Sequence, residues 1–399
     1  MTREEFVESI KIGHNLGNAL ECMEPIVRNG AGDSGVKLNV KREITDINGY
    51  HDFRIEAQWP DGTYSYHYSF EELWSNTPIT PELLSHMKSI GIQAVRLPVN
   101  MIGHIIDSTN HTIDPLWLKT VKNVILWAVD AGLKCILDLH TDFAALHASG
   151  SFLSLVYPDN YSPNQDAVGR LMCVWRQIAE YMNDVPADAL AFELANEFRI
   201  SDLEAKTSME QLTEYSMRYY RKMYKVIRDV GGNASERFLI IGGYRSDLWY
   251  CTELIADMIK SELDDKCIIS ANFYTPWQFT VCGVSDTWSY DGEVKQQMDE
   301  YFARLNHVRE ITGIPIIITE YGVGADENCM ASKNKLNVCE YIYFVMKWFF
   351  DNNFAAFVWD PGYIIHRDTF NYGIPFYDNI LDNISIGGEY DIVDDFNTH

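Results

Sequence analysis

The feature that most constrains this chain is a rhythm. Over most of its 399 residues, short apolar runs of strand length alternate with amphipathic segments, the pattern of βα units repeated around a parallel sheet. The strands read as Ile10–Leu16, Ala94–Val99, Lys134–Leu139, Ala189–Ala195, Phe238–Ile241, Cys267–Phe273, Ile314–Thr319 and Phe354–Trp359. The helices between them read as Pro81–Ser89, Pro115–Asp130, Asp166–Asn183, Met209–Val230, Asp247–Leu263, Glu293–Ile311 and Lys333–Asn352. Thr80 suits the N-cap of the first, and Gly91 and Gly132 lie where the first two must stop. Eight such strands predict the α/β class and a closed (β/α)8 TIM barrel, with any active site at the C-terminal ends of the strands. An open doubly wound sheet is the alternative. Gly13-His14-Asn15-Leu16-Gly17-Asn18 speaks against it, because it lacks the GxGxxG spacing of a phosphate loop.

Two stretches break the rhythm. Residues 29–76 stand where a short first loop belongs, as a β-hairpin-like insertion after strand one: His51–Trp59 and Thr63–Phe70 flank the turn residues Pro60-Asp61-Gly62. Tyr64, Tyr66 and Tyr68 alternate and so share one face. They would either wall the active site or pack the hairpin onto the barrel, and packing is the favoured reading. The tail Phe370–His399 is acidic and Gly-interrupted, with a final helix around Asn379–Asn383. With no repeat, low-complexity stretch or linker, residues 1–399 read as one domain.

A formal net charge of −25 excludes the usual nucleic-acid binder, which neutralises phosphates with Lys and Arg. No apolar run has the length of a membrane span. The eight cysteines show no CxxC and no zinc spacing and read as an unpaired set; Cys135 and Cys267 read as buried free thiols. Met1-Thr2-Arg3-Glu4-Glu5-Phe6 leads straight into the fold. Together these favour a reducing cytoplasm, although a secreted chain stripped of its signal would read the same.

Polar side chains gather where the barrel places the strand ends. These are Asn15 and Asn18; Arg96, Asn100 and His104; Asp138, His140 and Asp142; Asn196 and Glu197; Asn272 and Tyr274; Glu320; Trp359 and Asp360. Seven of the eight strands end this way. Two of them, Ala189–Ala195 and Ile314–Thr319, deliver a glutamate out of an apolar run. Unpaired buried charge is costly, so paired carboxylates at a barrel mouth point to work on a glycosidic bond. Arg96 would hold one carboxylate ionised, Tyr274 would hydrogen-bond the nucleophile, Asn196 would reach a sugar 2-hydroxyl and Trp359 would carry a sugar ring. Glu193 is a rival carboxylate on the same strand face as Glu197, deeper and therefore structural.

The ordered set Gly13-His14-Asn15-Leu16-Gly17-Asn18, Val95-Arg96-Leu97-Pro98-Val99, Gly103-His104-Ile105, Asp138-Leu139-His140, Phe192-Glu193-Leu194-Ala195-Asn196-Glu197, Tyr274-Thr275-Pro276-Trp277, Thr319-Glu320-Tyr321-Gly322 and Trp359-Asp360-Pro361-Gly362 resembles glycoside hydrolase family 5. It is most similar to subfamily 4, the endo-β-1,4-glucanases and xyloglucanases. The resemblance covers about Phe6–Gly30 and Pro78–Gly373. It implies Glu197 as acid/base and Glu320 as nucleophile, supported by Arg96, His140, Asn196, Tyr274 and Asn272. Asn18, His104, Trp277, Trp359 and Asp360 are implied at the substrate, an oligosaccharide or polysaccharide, with no metal and no cofactor. The carboxyl groups should then lie about 5–5.5 Å apart, the retaining spacing. The chain departs from the family in having Phe198 for a proline, Asn272 for the histidine that touches the acid/base, Thr141 for a histidine and Met101 for a tryptophan. Rival readings are a β-mannanase, an exo-acting β-glycosidase on short oligosaccharides and a catalytically dead carbohydrate-binding protein.

Overall fold

The structure is a computed structural model and describes residues 1–22, 37–42, 53–74, 76–140, 155, 167–250, 252–281, 284–324, 327–388 and 392. In chain order the strands are β1 (Ile12–Asn15), β2 (Lys37–Arg42), β3 (Phe53–Gln58), β4 (Tyr64–His67), β5 (Ala94–Val99), β6 (Ile105–Asp107), β7 (Thr112–Ile113), β8 (Lys134–Leu139), β9 (Leu190–Glu193), β10 (Leu239–Gly242), β11 (Cys267–Phe273), β12 (Ile316–Tyr321) and β13 (Ala355–Val358). Eight of them close a parallel barrel in the order β1-β13-β12-β11-β10-β9-β8-β5. The closed sheet leaves no edge to protect.

Side chains alternate along a strand, and that period sorts the barrel interior into two layers. Toward the N-terminal ends, Ala94, Ile136, Ala191, Ile240, Ile268, Ile317, Ala355 and Phe357 form one apolar cluster. Phe6, Val7 and Ile10, in and just after the helix Arg3–Glu8, join that cluster, and Phe6 stacks on Phe238 at 4.3 Å. Gly13 must be glycine here, because a Cβ would fall 2.4 Å from the Phe357 ring. Two residues further along the same strand faces come Asn15, Arg96, Asp138, Glu193 and Thr319, all fully buried. The apolar plug thus supports a polar floor from below, and the site is built on that floor.

Where local signals are strong, the observed elements coincide with the expected ones. The helices Pro81–Ser89 and Pro115–Asp130 and the strands β5, β8 and β11 have the bounds read from the sequence. Thr80 caps the first helix through its side chain to Leu83 N, and Gly91 and Gly132 take positive φ at +96° and +81°. Two strands end two residues away from the expected position, and β1, β10 and β13 end one residue away. β12 runs two residues further than expected and includes Glu320, with a register irregularity against β11 between Ala271 and Asn272. β9 stops at Glu193, so Asn196 and Glu197 lie in the loop beyond it. The final helix is longer than expected, Tyr377–Ser385, with Tyr377, Ile380, Leu381 and Ile384 buried. A small hairpin, β6–β7, has no counterpart in the sequence reading.

The insertion is more than a hairpin. β2, β3 and β4 form a three-stranded antiparallel sheet, while residues 29–36, 43–52 and 75 of this stretch lie outside the described residues, as do Thr141, Asp142 and Asp166. Ile55 and Ala57 are fully buried and turn one face of the sheet inward. Tyr64 and Tyr66 are 53% and 51% exposed on the other, and Tyr68, one residue past β4, is 55% exposed. The expectation that they pack the hairpin onto the barrel is therefore overturned: the aliphatic face does that. Cys329 is disulfide-bonded, against the reading of an unpaired set; Cys22, Cys135, Cys173, Cys267 and Cys339 are free thiols.

Candidate active site

The arginine of β5 organises the polar floor. Arg96 is fully buried and uses each of its five N–H groups. Nε donates to Glu193 Oε2 at 2.6 Å, and Nη1 to Glu320 Oε1 at 2.8 Å and Asn15 Oδ1 at 3.0 Å. Nη2 reaches Asp138 Oδ2 at 2.8 Å and Asn196 Oδ1 at 3.1 Å. A guanidinium presents its donors in a fixed planar fork, so this cation fixes side chains from β1, β8, β9, β12 and the β9 loop relative to one another. Glu193 lies under the site, as its position on β9 predicts. Burial pushes its carboxyl up to about 8 against the pull of Arg96.

Glu320 is 5% exposed and receives a hydrogen bond on each oxygen, from Arg96 and, at 3.0 Å on Oε2, from the Tyr274 hydroxyl. Burial and the charge of Glu320 hold the Tyr274 hydroxyl far above the ordinary phenol range, so it remains a donor. His140 Nδ1 sits 2.8 Å from Asp138 Oδ2 and 3.9 Å from Glu320 Oε1. Burial alone would depress this imidazole. The bond to Asp138 and the charges of Asp138 and Glu320 outweigh it, lifting the group to about 9 and keeping it cationic at neutral pH.

Glu197 sits in a different environment. Burial, then the charge of Glu320, raise its carboxyl above the usual range, which keeps a proton available for donation. Its backbone is in the left-handed region, φ +43°, a conformation costing a non-glycine residue ~1–3 kcal/mol. The loop after β10 holds it there: Ser246 Oγ accepts the Glu197 N–H at 3.2 Å, and Arg245 N–H donates to Phe198 O at 2.9 Å. Phe198, in the place of the family's proline, is buried against Tyr219.

Asn272 replaces the expected histidine with a single oriented contact. Its Nδ2 donates to Glu197 Oε1 at 3.0 Å, while Thr319 Oγ1 donates to its Oδ1 at 3.0 Å and so fixes which way the amide points. That N–H stabilises the ionised form of Glu197 and opposes the upward shift. The variant Asn272→Ala is expected to move the alkaline limb of kcat/KM to higher pH, because the acid is retained longer. A pH–rate profile checks this, and a move to lower pH would contradict it.

A cleft of about 860 Å³ opens above these groups. Glu197, Glu320, His140, Asn196, Tyr274, Asn272, Trp359, Asn18 and Trp277 all line it. Trp359 is stacked with His140 at 5.4 Å and backed by Gly17, where a Cβ would fall 2.8 Å from the indole. Two of the expected substrate contacts lie elsewhere. His104 is buried in a stack on Trp117 at 3.7 Å with Phe70 edge-on. Asp360 is paired with His14 at 2.9 Å and accepts the backbone N–H groups of Gly362, Tyr363, Ile364 and Ile365. That carboxylate is consumed in closing the β13 loop. Met101, in the place of a family tryptophan, is fully buried.

The cleft also contains residues that the sequence reading missed. Arg245, Asp247 and Trp249 come from the loop after β10, the one strand end to which no polar residue had been assigned. The position rule alone would have found them. Trp74 and Glu21 come from the two ends of the first βα loop. Glu21 accepts the backbone N–H groups of Asn18 and Ala19, and Asn76 Nδ2 ties the exit of the insertion to Asn18 O at 3.0 Å and Pro361 O at 2.8 Å. Among the described residues, no group of three or more His, Cys, Asp or Glu side chains is placed to hold a metal ion, and no helix is long and apolar enough to cross a membrane.

The sequence profile described as Cellulase (glycosyl hydrolase family 5) matches residues 56–363. Endoglucanase A of Ruminococcus albus is 31% identical over 265 residues, 64% of this chain and 67% of that protein. Endoglucanase B of Paenibacillus lautus is 26% identical over 315 residues, 77% of this chain and 52% of that protein; the chain thus spans only about half the length of some curated relatives. Among solved structures, a GH5-4 broad specificity endoglucanase from Clostridium longisporum superposes with a TM-score of 0.72 at 19% identity, over 98% of this chain and 99% of that one. At that identity the superposition speaks for the fold.

Proposed function

Because the chain belongs to glycosyl hydrolase family 5, we propose that it is a retaining endo-acting hydrolase of β-1,4-linked glucan or a decorated relative such as xyloglucan. The observation that carries this reading is the contrast between two carboxyls in one cleft. Glu320 is hydrogen-bonded on both oxygens by Arg96 and Tyr274, and Glu197 is raised by burial and by its neighbour's charge. Glu320 attacks the anomeric carbon while Glu197 gives its proton to the leaving oxygen, and the glycosidic C–O bond breaks. Glu197, now ionised, takes a proton from water, which attacks the same carbon and displaces Glu320 with net retention.

Four tryptophans, Trp74, Trp249, Trp277 and Trp359, line the cleft, with Trp249 and Trp277 more than half exposed. Apolar ring faces held open to solvent suit a run of several sugars, which favours the endo mode over the exo one. Trp74→Ala is expected to raise KM on polysaccharide ~10-fold with little change in kcat, the loss of one stacking contact. Steady-state kinetics that showed the loss in kcat instead would remove Trp74 from the binding role.

Initial rates on soluble β-glucan, xyloglucan, mannan and aryl glycosides test the whole reading. A fast fall in viscosity per reducing end released on glucan or xyloglucan is expected. Activity confined to mannan or to short aryl glycosides would overturn it.

A further inference from the structure

The outer face of the insertion sheet has no role in the cleft. Tyr64 and Tyr66 stand on it about half exposed, two residues apart on β4 and therefore ~7 Å apart along the strand; Tyr68, one residue past the end of β4, is equally exposed, and none of the three lines the cleft. Glu56 lies opposite Tyr66 and Gln58 opposite Tyr64 in the antiparallel register. Arg54 sits over the Tyr66 ring at 5.3 Å and steadies it. The inward face is occupied, by Ile55 and Ala57 in the core and by Trp59 Nε1 donating to Ser65 Oγ at 3.0 Å. This orientation is therefore fixed, and the tyrosines cannot turn inward to bury themselves. A row of exposed aromatics on a sheet held in place from behind marks a binding surface.

We propose that this face is a second glycan-binding surface, separate from the cleft, that holds a β-glucan chain. The inference rests on the reading of the substrate given above. Tyrosine offers an apolar ring with a hydroxyl at its rim, which suits a pyranose with a C–H face and a hydroxyl edge. Gln58 and Glu56 supply hydrogen-bonding groups across the strand. The cleft uses the same combination, aromatic platforms beside Asn and Asp side chains. The face is also continuous with the cleft through the backbone: Tyr68 N–H donates to Glu72 Oε2 at 2.7 Å, and Glu72 belongs to the short turn Glu71–Trp74, whose last residue lines the cleft. A polymer held on the tyrosines is thereby kept near the Trp74 wall. A net charge of −25 disfavours a polyanion and suits a neutral polymer.

The test is depletion from solution onto insoluble β-glucan, in the Glu320→Gln background so that nothing is cleaved. The triple variant Tyr64→Thr, Tyr66→Thr, Tyr68→Thr keeps strand-forming residues on the exposed face. It is expected to lose ~10-fold or more in partition coefficient, the effect of three aromatic contacts. In the otherwise native chain, the same triple variant should hydrolyse a soluble aryl cellobioside at the native rate. Undiminished partition by the triple variant would overturn the surface while leaving the hydrolase reading intact. Lost hydrolysis of the short substrate would also overturn it, by placing the tyrosines in the cleft or the fold. A dimer that the triple variant converts to monomer, seen by light scattering, would assign the face to a second copy of the chain. A native chain that neither binds nor cleaves any β-glucan would remove both readings.

Discussion

Glu320→Gln is expected to lower kcat/KM on β-glucan by ~10⁴-fold or more, equivalent to ~5 kcal/mol of lost transition-state stabilisation. The amide is nearly isosteric, and the surroundings tolerate it. Its oxygen still accepts from Arg96 Nη1, its NH₂ can donate to the Tyr274 hydroxyl oxygen, and Arg96 keeps its contacts with Asp138 and Glu193. The melting temperature should therefore move by no more than a few degrees, which separates a chemical loss from a folding one. Binding of cello-oligosaccharides should persist, because the tryptophan platforms are untouched. Activity retained within ten-fold of the native chain would dismiss Glu320 as the nucleophile.

Glu197→Gln should behave differently, and the difference identifies its role. General acid/base groups contribute ~10²–10⁴-fold, and that loss is expected in full on polysaccharide, whose leaving alcohol needs the proton. Aryl glycosides with good leaving groups need none in the first step, so glycosylation should remain near the native rate and the second step should become limiting. Added azide, which attacks without a base, should then restore turnover and yield the β-glycosyl azide. The native alkaline limb should vanish as well. Glu197 is raised by burial and by Glu320, and catalysis is lost as pH rises through its titration; a glutamine has no proton to lose in that range. A variant equally slow on every leaving group and unmoved by azide would contradict the assignment.

How much of this was legible in the sequence follows from where the determining interactions lie. The helix Pro81–Ser89 has its cap, its N-terminal proline and its glycine stop within a dozen residues, so its bounds could be read directly. Strand β12 could not be placed as well, because its shift answers to a bulge in its pairing with β11. Glu197 and Glu320 were visible because a carboxylate at the end of an apolar run has few other reasons to be there. Asp360 follows the same pattern, yet it accepts four backbone N–H groups; only the path of the loop decides whether such a group faces substrate or its own backbone. His104 fails for the same reason, its ring being absorbed by Trp117. Trp74 was hidden by distance along the chain, since it reaches the cleft only when the insertion folds back on Asn18 through Asn76.

The central claim, double displacement through Glu320, is tested most directly by trapping. The native chain would be incubated with an aryl 2-deoxy-2-fluoro-β-cellobioside, whose electron-withdrawing fluorine slows the second step more than the good leaving group lets it slow the first. Peptide mass spectrometry would then follow. The expected result is loss of activity together with one added fluorocellobiosyl group, on the peptide carrying Glu320. A label on any other carboxylate, or turnover of other substrates that continues with no label at all, would contradict it.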